Sequence, residues 1–269
     1  MLDWVYRHYK LGIFLIEGIV GANALLILAP AGVPFTTVCV LLLAAAAPWL
    51  ILCHYAAQRL SGQALQALNE ACDPEPLLEL AGETLAQFDR RGKSRRAQAL
   101  GWRLNRVVAL TSLGKHREAL EELDHIRSRL PRRPGQCHLL YHNNRAAVEC
   151  ALDRPDDMAA ELEQAEALME QLRMPPSLEQ ACQLALRTNR CALQALREGF
   201  GPQAEREYRA LMQANPSVRW QVGIHLGLAR CAIARGDRGA AREHLRYILD
   251  HGNKLEARRK AEDLLAGLN

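Results

Sequence analysis

What this sequence lacks narrows its reading first. Aromatic residues make up 5% of the 269 positions, and runs that alternate apolar with polar residues over the length of a strand are scarce. A half-buried sheet has little to be built from, and an almost wholly helical chain is expected. No two of the eight cysteines stand as Cys-x-x-Cys. Cys150, Cys182, Cys191 and Cys231 fall within helical apolar runs, which suits small buried residues in a reducing compartment better than a disulfide framework. Lysine is rare, with five against 29 arginines, and the net charge is only +4. That arginine excess fits either genome base composition or anion binding. Glu121, Glu122, Glu161, Glu163, Glu166 and Glu170 interleave acid among the bases, so no stripe of one sign forms and no nucleic-acid partner is expected.

Reactive patterns are missing as well. The chain has no P-loop, no Gly-x-Ser-x-Gly and no His-Glu-x-x-His, and Gly199-Phe200-Gly201 lacks the third glycine and the preceding strand of a dinucleotide turn. His138 and His142 stand four apart beside Cys137, without a further ligand at matching spacing. No enzymatic activity, cofactor, metal or small-molecule substrate is expected.

What is present begins with two long apolar runs, residues 11–29 and 33–52, separated only by Pro30, Ala31 and Gly32. Each is near the length a helix needs to cross a bilayer, so the pair reads as a transmembrane hairpin with a short external turn at 30–32. Trp4, Tyr6 and Tyr9 precede the first run, Trp49 and Tyr55 lie near the end of the second, and Arg7, Lys10 and Arg59 flank the pair while the turn has no charge. Aromatic belts and the positive-inside rule put both ends, and everything after residue 52, on the cytoplasmic side of what is expected to be a bacterial plasma membrane. A cleaved signal peptide fits less well, because the first run is too long, contains Glu17, and would leave a mature chain starting inside a second membrane segment. Glu17 and Asn23 are the polar candidates within the first membrane helix. An ionisable group there is a functional candidate by default, although nothing charged in the second run answers it, and snorkelling towards the cytoplasmic face or protonation is the preferred reading. Asn23 is placed to bond across to the second helix.

Between residues 97 and 253 one helical hairpin is written several times. Gly114, Ala119, Leu123, Ile126 and Pro131 follow at intervals of five, four, three and five; Gly199, Ala204, Tyr208, Leu211 and Pro216 repeat those intervals; Gly236, Ala241, Leu245 and Ile248 repeat them again, with Asn253 where the others have proline. Glycine ends a first helix where a left-handed residue costs it little, the small alanine lets the second helix lie close, and proline or asparagine stops that helix. A further hairpin lies near 136–152 and 158–172, its turn Asp153-Arg154-Pro155-Asp156-Asp157 lacking the glycine and reading as slightly longer, which leaves its register open. Residues 53–92 read as a connecting helix, continuous with the second membrane run, and a degenerate first hairpin. Residues 254–269 read as a capping helix that turns its charged face to water.

Recurrence of these marks near a period of roughly 34 residues is the signature of a repeat array, and residues 93–268 resemble the tetratricopeptide (TPR) repeat family. That resemblance implies a right-handed α-solenoid whose first helices line a concave groove. It also implies that an asparagine near the middle of such a helix bonds the backbone of an extended peptide. Asn-Arg recurs in three first helices, as Asn105-Arg106, Asn144-Arg145 and Asn189-Arg190. An amide offers both donor and acceptor, and the arginines are expected to add positive charge nearby; bonding of these asparagines between neighbouring helices is the other reading. The arginines at 127, 129, 132 and 133 form a basic patch suited to anionic headgroups or simply to water.

The expected architecture is all-α, with residues 1–10 cytoplasmic, a transmembrane hairpin over 11–52, a TPR-like solenoid over 93–253 and a cap over 254–269. The expected work is capture of a partner protein or extended peptide in the groove, as a tethered scaffold. An alternative makes the membrane hairpin the working part of an accessory or regulatory subunit, with the repeats as its arm; a third is a peptide-sensing regulator.

Overall fold

The computed structural model describes residues 8, 12, 15, 18, 19, 34–90, 96–214 and 217–268. Glu17, Asn23, the turn at 30–32, most of the first apolar run and Pro216 lie outside the described residues. Among those described there are eleven helices and no strand. Helix α1 (Phe35–Asn69) contains Pro48 and runs without a break through the second apolar stretch and beyond it, as the uninterrupted stripe implies. Its segment Cys39–Asn69, which contains an 18-residue window of mean hydropathy 1.9, is long and apolar enough to cross a membrane. Val40, Leu43 and Ile51 of this helix are 63%, 72% and 69% exposed, an arrangement that water disfavours.

The chain divides into two compact units, residues 1–64 and 65–269. The second contains helices α2 (Glu75–Asp89), α3 (Arg96–Ser112), α4 (His116–Arg127), α5 (Gln136–Ala151), α6 (Pro155–Gln171), α7 (Pro176–Glu198), α8 (Pro202–Ala214), α9 (Val218–Ala234), α10 (Arg238–His251) and α11 (Glu256–Gly267). From α2 onward each helix packs on the next, and first helices also meet one another as α3 on α5, α5 on α7 and α9 on α11. α7 and α9 make no more than marginal contact. Residues 55–90, expected as a first hairpin, provide about the last four turns of α1 and then α2, whose packing partner is α3.

The repeat has a shared turn. Gly114 and Gly236 have φ of 76° and 80°, and Asp153 takes the same left-handed conformation at 59°. In all three turns the next residue donates its backbone N–H to a carbonyl five back: Lys115 to Leu110 at 2.9 Å, Arg154 to Glu149 at 3.0 Å and Asp237 to Ala232 at 2.9 Å. Such bonds satisfy carbonyls that the end of a helix leaves over. The next helix then starts two residues after the left-handed one in each case. The Asp153 turn is therefore not longer than the others. Aspartate replaces glycine because its short polar side chain tolerates this region.

That equivalence fixes the open register. The fifth, ninth and twelfth residues after the turn are Ala119, Leu123 and Ile126; Met158, Leu162 and Ala165; Ala204, Tyr208 and Leu211; and Ala241, Leu245 and Ile248, all of them buried. Where Met158 replaces the small residue, Ala165 replaces the large one, so the seam keeps nearly the same volume. Proline is not the immediate stop at the end of α4. The helix closes at Arg127, where Ser128 Oγ donates to the His125 carbonyl at 2.9 Å, and Pro131 lies exposed in the loop beyond.

The two kinds of turn residue should respond oppositely to substitution. Asp153→Gly relieves a strained conformation and should raise stability by up to about 1 kcal/mol. Gly114→Ala adds a Cβ at positive φ, 2.9 Å from Glu256 Cγ, and should lower stability by about 1–3 kcal/mol. Denaturant unfolding of the full chain measures both, and destabilisation by Asp153→Gly would break the equivalence of the turns.

Candidate functional site

The recurring Asn-Arg pairs come out differently from one another. Arg106 Nη1 lies 3.1 Å from Glu122, a buried carboxylate that also takes Arg103 Nη1 at 2.5 Å. Arg145 lies 3.2 Å from Asp124 and 3.3 Å from Glu161, and donates to the Tyr141 hydroxyl at 2.9 Å. Arg190 grips Glu166 with two nitrogens. Each arginine is thus spent on a carboxylate of a neighbouring second helix, α4 or α6, rather than left as free positive charge. Glu122 is the strictest of these partners, because a buried carboxylate is costly unless its oxygens are bonded.

The asparagines divide too. Asn189 on α7 donates from Nδ2 to the Asn143 side-chain oxygen on α5 at 3.0 Å, so it bonds between first helices. Asn105 and Asn144 are half-buried, and their side-chain amides make no hydrogen bond among the described residues. His142 Nδ1 stands 2.6 Å from Glu161, and the buried His138 Nδ1 finds no partner. Among the described residues no three metal-ligating side chains gather.

Helical spacing leads from the asparagines to a cavity of about 200 Å³. Asn144 lies three and seven residues before Ala147 and Ala151, and Asn189 three and seven before Ala192 and Leu196, so each shares a face with that pair. All four of those residues line the cavity. Further walls come from Gly223, Leu226 and Gly227 of α9, Tyr208 of α8 and Phe200 of the preceding turn, with Arg230 and Lys260 as its cations. Gly227 has no room for a side chain, since an added Cβ would come within 2.5 Å of the Tyr208 ring. The alanines were legible as helical spacing from the asparagines. Lys260 was not, because it arrives from α11, far along the chain.

Helix α11 does not turn its whole charged side outward. Glu256 lies against Gly114, 3.0 Å from His116 Nε2 and 3.0 Å from its own Lys260 Nζ. Burial raises the Glu256 pKa, but the bonds from His116 and Lys260 outweigh it and hold the carboxyl below its ordinary range. The other end of the unit is tied in similarly: Asn253 Nδ2 donates to the Ala71 carbonyl at 2.9 Å, Lys254 N to the Cys72 carbonyl at 3.2 Å, and Ser217 Oγ to the Asn69 carbonyl at 3.1 Å.

A second cluster joins α9 to α10. His225 stacks on Tyr247 with ring centroids 3.8 Å apart, and its Nδ1 lies 3.0 Å from His244 Nδ1. Burial, then the nearby His244 and His251, pull the His225 pKa from 6.5 to about 4. The unfolded chain therefore takes up this proton first as pH falls. This group's contribution to stability is fully present above pH 6.5 and drains away between 6.5 and about 4, by roughly 2 kcal/mol once solvent screening of the half-buried ring is allowed for. Unfolding midpoints measured across that window should fall, and the fall should be shallower in His225→Phe, which keeps the stack but cannot titrate; equal slopes would remove His225 as the cause.

Comparison with protein-family models, with curated proteins and with solved structures gives no match to this chain.

Proposed function

We propose that this chain is a membrane-tethered, TPR-like scaffold that captures a segment of a partner protein on the inner face of its first helices. The observation that carries the reading is the convergence of α5, α7 and α9 on one hollow, with Asn144 on that same face and without a side-chain hydrogen bond among the described residues. A half-exposed amide with no protein partner, beside a hollow, is suited to bonding an extended backbone. Residues 11–52 supply the tether in this reading, with the helical array on the cytoplasmic side, so that attachment raises the local concentration of a partner at the membrane. Asn105 belongs to the same proposed surface, whereas Asn189 supports it from within, through its bond to Asn143.

In-cell photo-crosslinking tests the proposal, with the probe placed at Asn144 and, as a control, at the exposed Glu163 of α6. A partner band seen from position 144 and absent from 163 is expected, and identical bands from both would remove the inner face as the working surface. Removing residues 1–54 should lower partner recovery from membranes while the remaining chain still binds. Loss of binding with an unchanged helical spectrum would favour the membrane helices as the recognition element.

A further inference from the structure

The hollow described above has a chemistry narrower than a peptide groove. Its walls are Ala147, Ala151, Ala192, Leu196, Leu226 and the Phe200 ring, and the two charges on it are both positive. They are not equivalent. Lys260 is neutralised by Glu256 at 3.0 Å, and Glu256 is itself shared with His116. Arg230 has no carboxylate partner among the described residues, and its guanidinium carbon sits 5.3 Å from the centre of the Phe200 ring. Both cations act on Cys150 in the wall, where burial pushes the thiol upward against their pull and Asp153 adds a smaller push. A guanidinium with no anion, set against apolar walls, leaves one positive charge over.

We propose that this cavity binds a short apolar acid, its carboxylate on Arg230 and its hydrocarbon body against the alanines of α5 and α7. A guanidinium fits a carboxylate through paired N–H donors and is the less hydrated of the two basic groups, so it suits a site with few other donors. A phosphate would call for more donors than one guanidinium and one shared ammonium supply. A volume of about 200 Å³ lies below the roughly 300–1,000 Å³ of sites for drug-sized ligands, which suits a short acyl chain better than an extended peptide. The asparagines suited to a peptide backbone lie one turn outside. The site is a ligand site and does not rest on partner capture by the outer rim.

Hexanoate is the probe, titrated calorimetrically into the full chain in lipid nanodiscs, with empty nanodiscs subtracted. Saturable binding with a Kd on the order of 1 mM or tighter is expected for a ligand of about eight non-hydrogen atoms. Hexanol, with the same body and no charge, should bind at least about tenfold more weakly, and Arg230→Gln should cost hexanoate about tenfold or more. Ala151→Leu fills the hollow without touching its charge and should abolish binding, which keeps the test sharp if the Arg230 variant folds poorly. Absence of saturable hexanoate binding by the native chain, equal affinity for hexanol, or binding unaffected by Ala151→Leu would each overturn the site. Crosslinking from Asn144 would be untouched by any of these results.

Discussion

A carboxylate near the chain's end is held against the first well-marked turn, and much of the second unit is arranged around that contact. Glu256 reaches the place where Gly114 has no side chain, meets His116 and keeps Lys260 beside it. Gly114 is thus constrained twice, by a φ of 76° that disfavours a Cβ and by a neighbour that excludes one. The contact spans 140 residues of sequence, so it can form only when the hairpins between them have stacked. It reports on correct assembly of the whole set rather than on any one repeat. Because Lys260 follows Glu256 by one helical turn, the same contact sets one wall of the inner cavity.

Charge in this unit is managed locally. The arginines that follow the recurring asparagines reach carboxylates on second helices, and the buried Glu122 takes two guanidinium groups. Removing either partner of such a pair would strand a charge, which is far costlier than the pair's net contribution. These pairs therefore favour one register of hairpin against hairpin over others that would leave Glu122 unpaired. Arg230 and Arg219 are not part of this scheme: among the described residues neither meets a carboxylate, Arg219 donating instead to the Asn69 side chain and Arg230 facing the Phe200 ring.

Much of the hairpin architecture was legible in the sequence because its marks are local. The interval from Gly114 to Ala119, Leu123 and Ile126 is a statement about one turn and one helical face, and the buried positions follow it in every copy. Asp153 was harder to read because its left-handed conformation is a choice between backbone geometries that aspartate permits without requiring. Pro131 misled slightly, since a proline marks where a helix cannot continue and not where it ends. The inner site was legible only in part. Ala147 and Ala192 follow from helical spacing, whereas Lys260, Glu256 and the bond from Asn189 to Asn143 depend on contacts between distant segments, which leave no periodic trace.

The cavity itself follows from one exception to the repeat. At the ninth position after the turn three copies carry leucine and the fourth carries Tyr208, whose larger ring needs space that a leucine would not. That space comes from Gly227, which lies against the ring and could not hold even a methyl group there. A first helix bearing a bulky second-helix side chain on its flank cannot also lie close to the preceding first helix. α7 and α9 are the neighbouring first helices that fail to pack firmly, while α3 on α5 and α5 on α7 do, and α9 meets α11 only lightly. The hollow at that junction is open on one side to water, and most of its lining is half-buried rather than enclosed. Small residues on α5 and α7 widen the void instead of filling it, and the two cations lie at that same junction. Ala147, Ala151 and Ala192 are half-buried there, where alanine is also the best helix former, and their small side chains leave the space beside Arg230 that the proposed acid would fill.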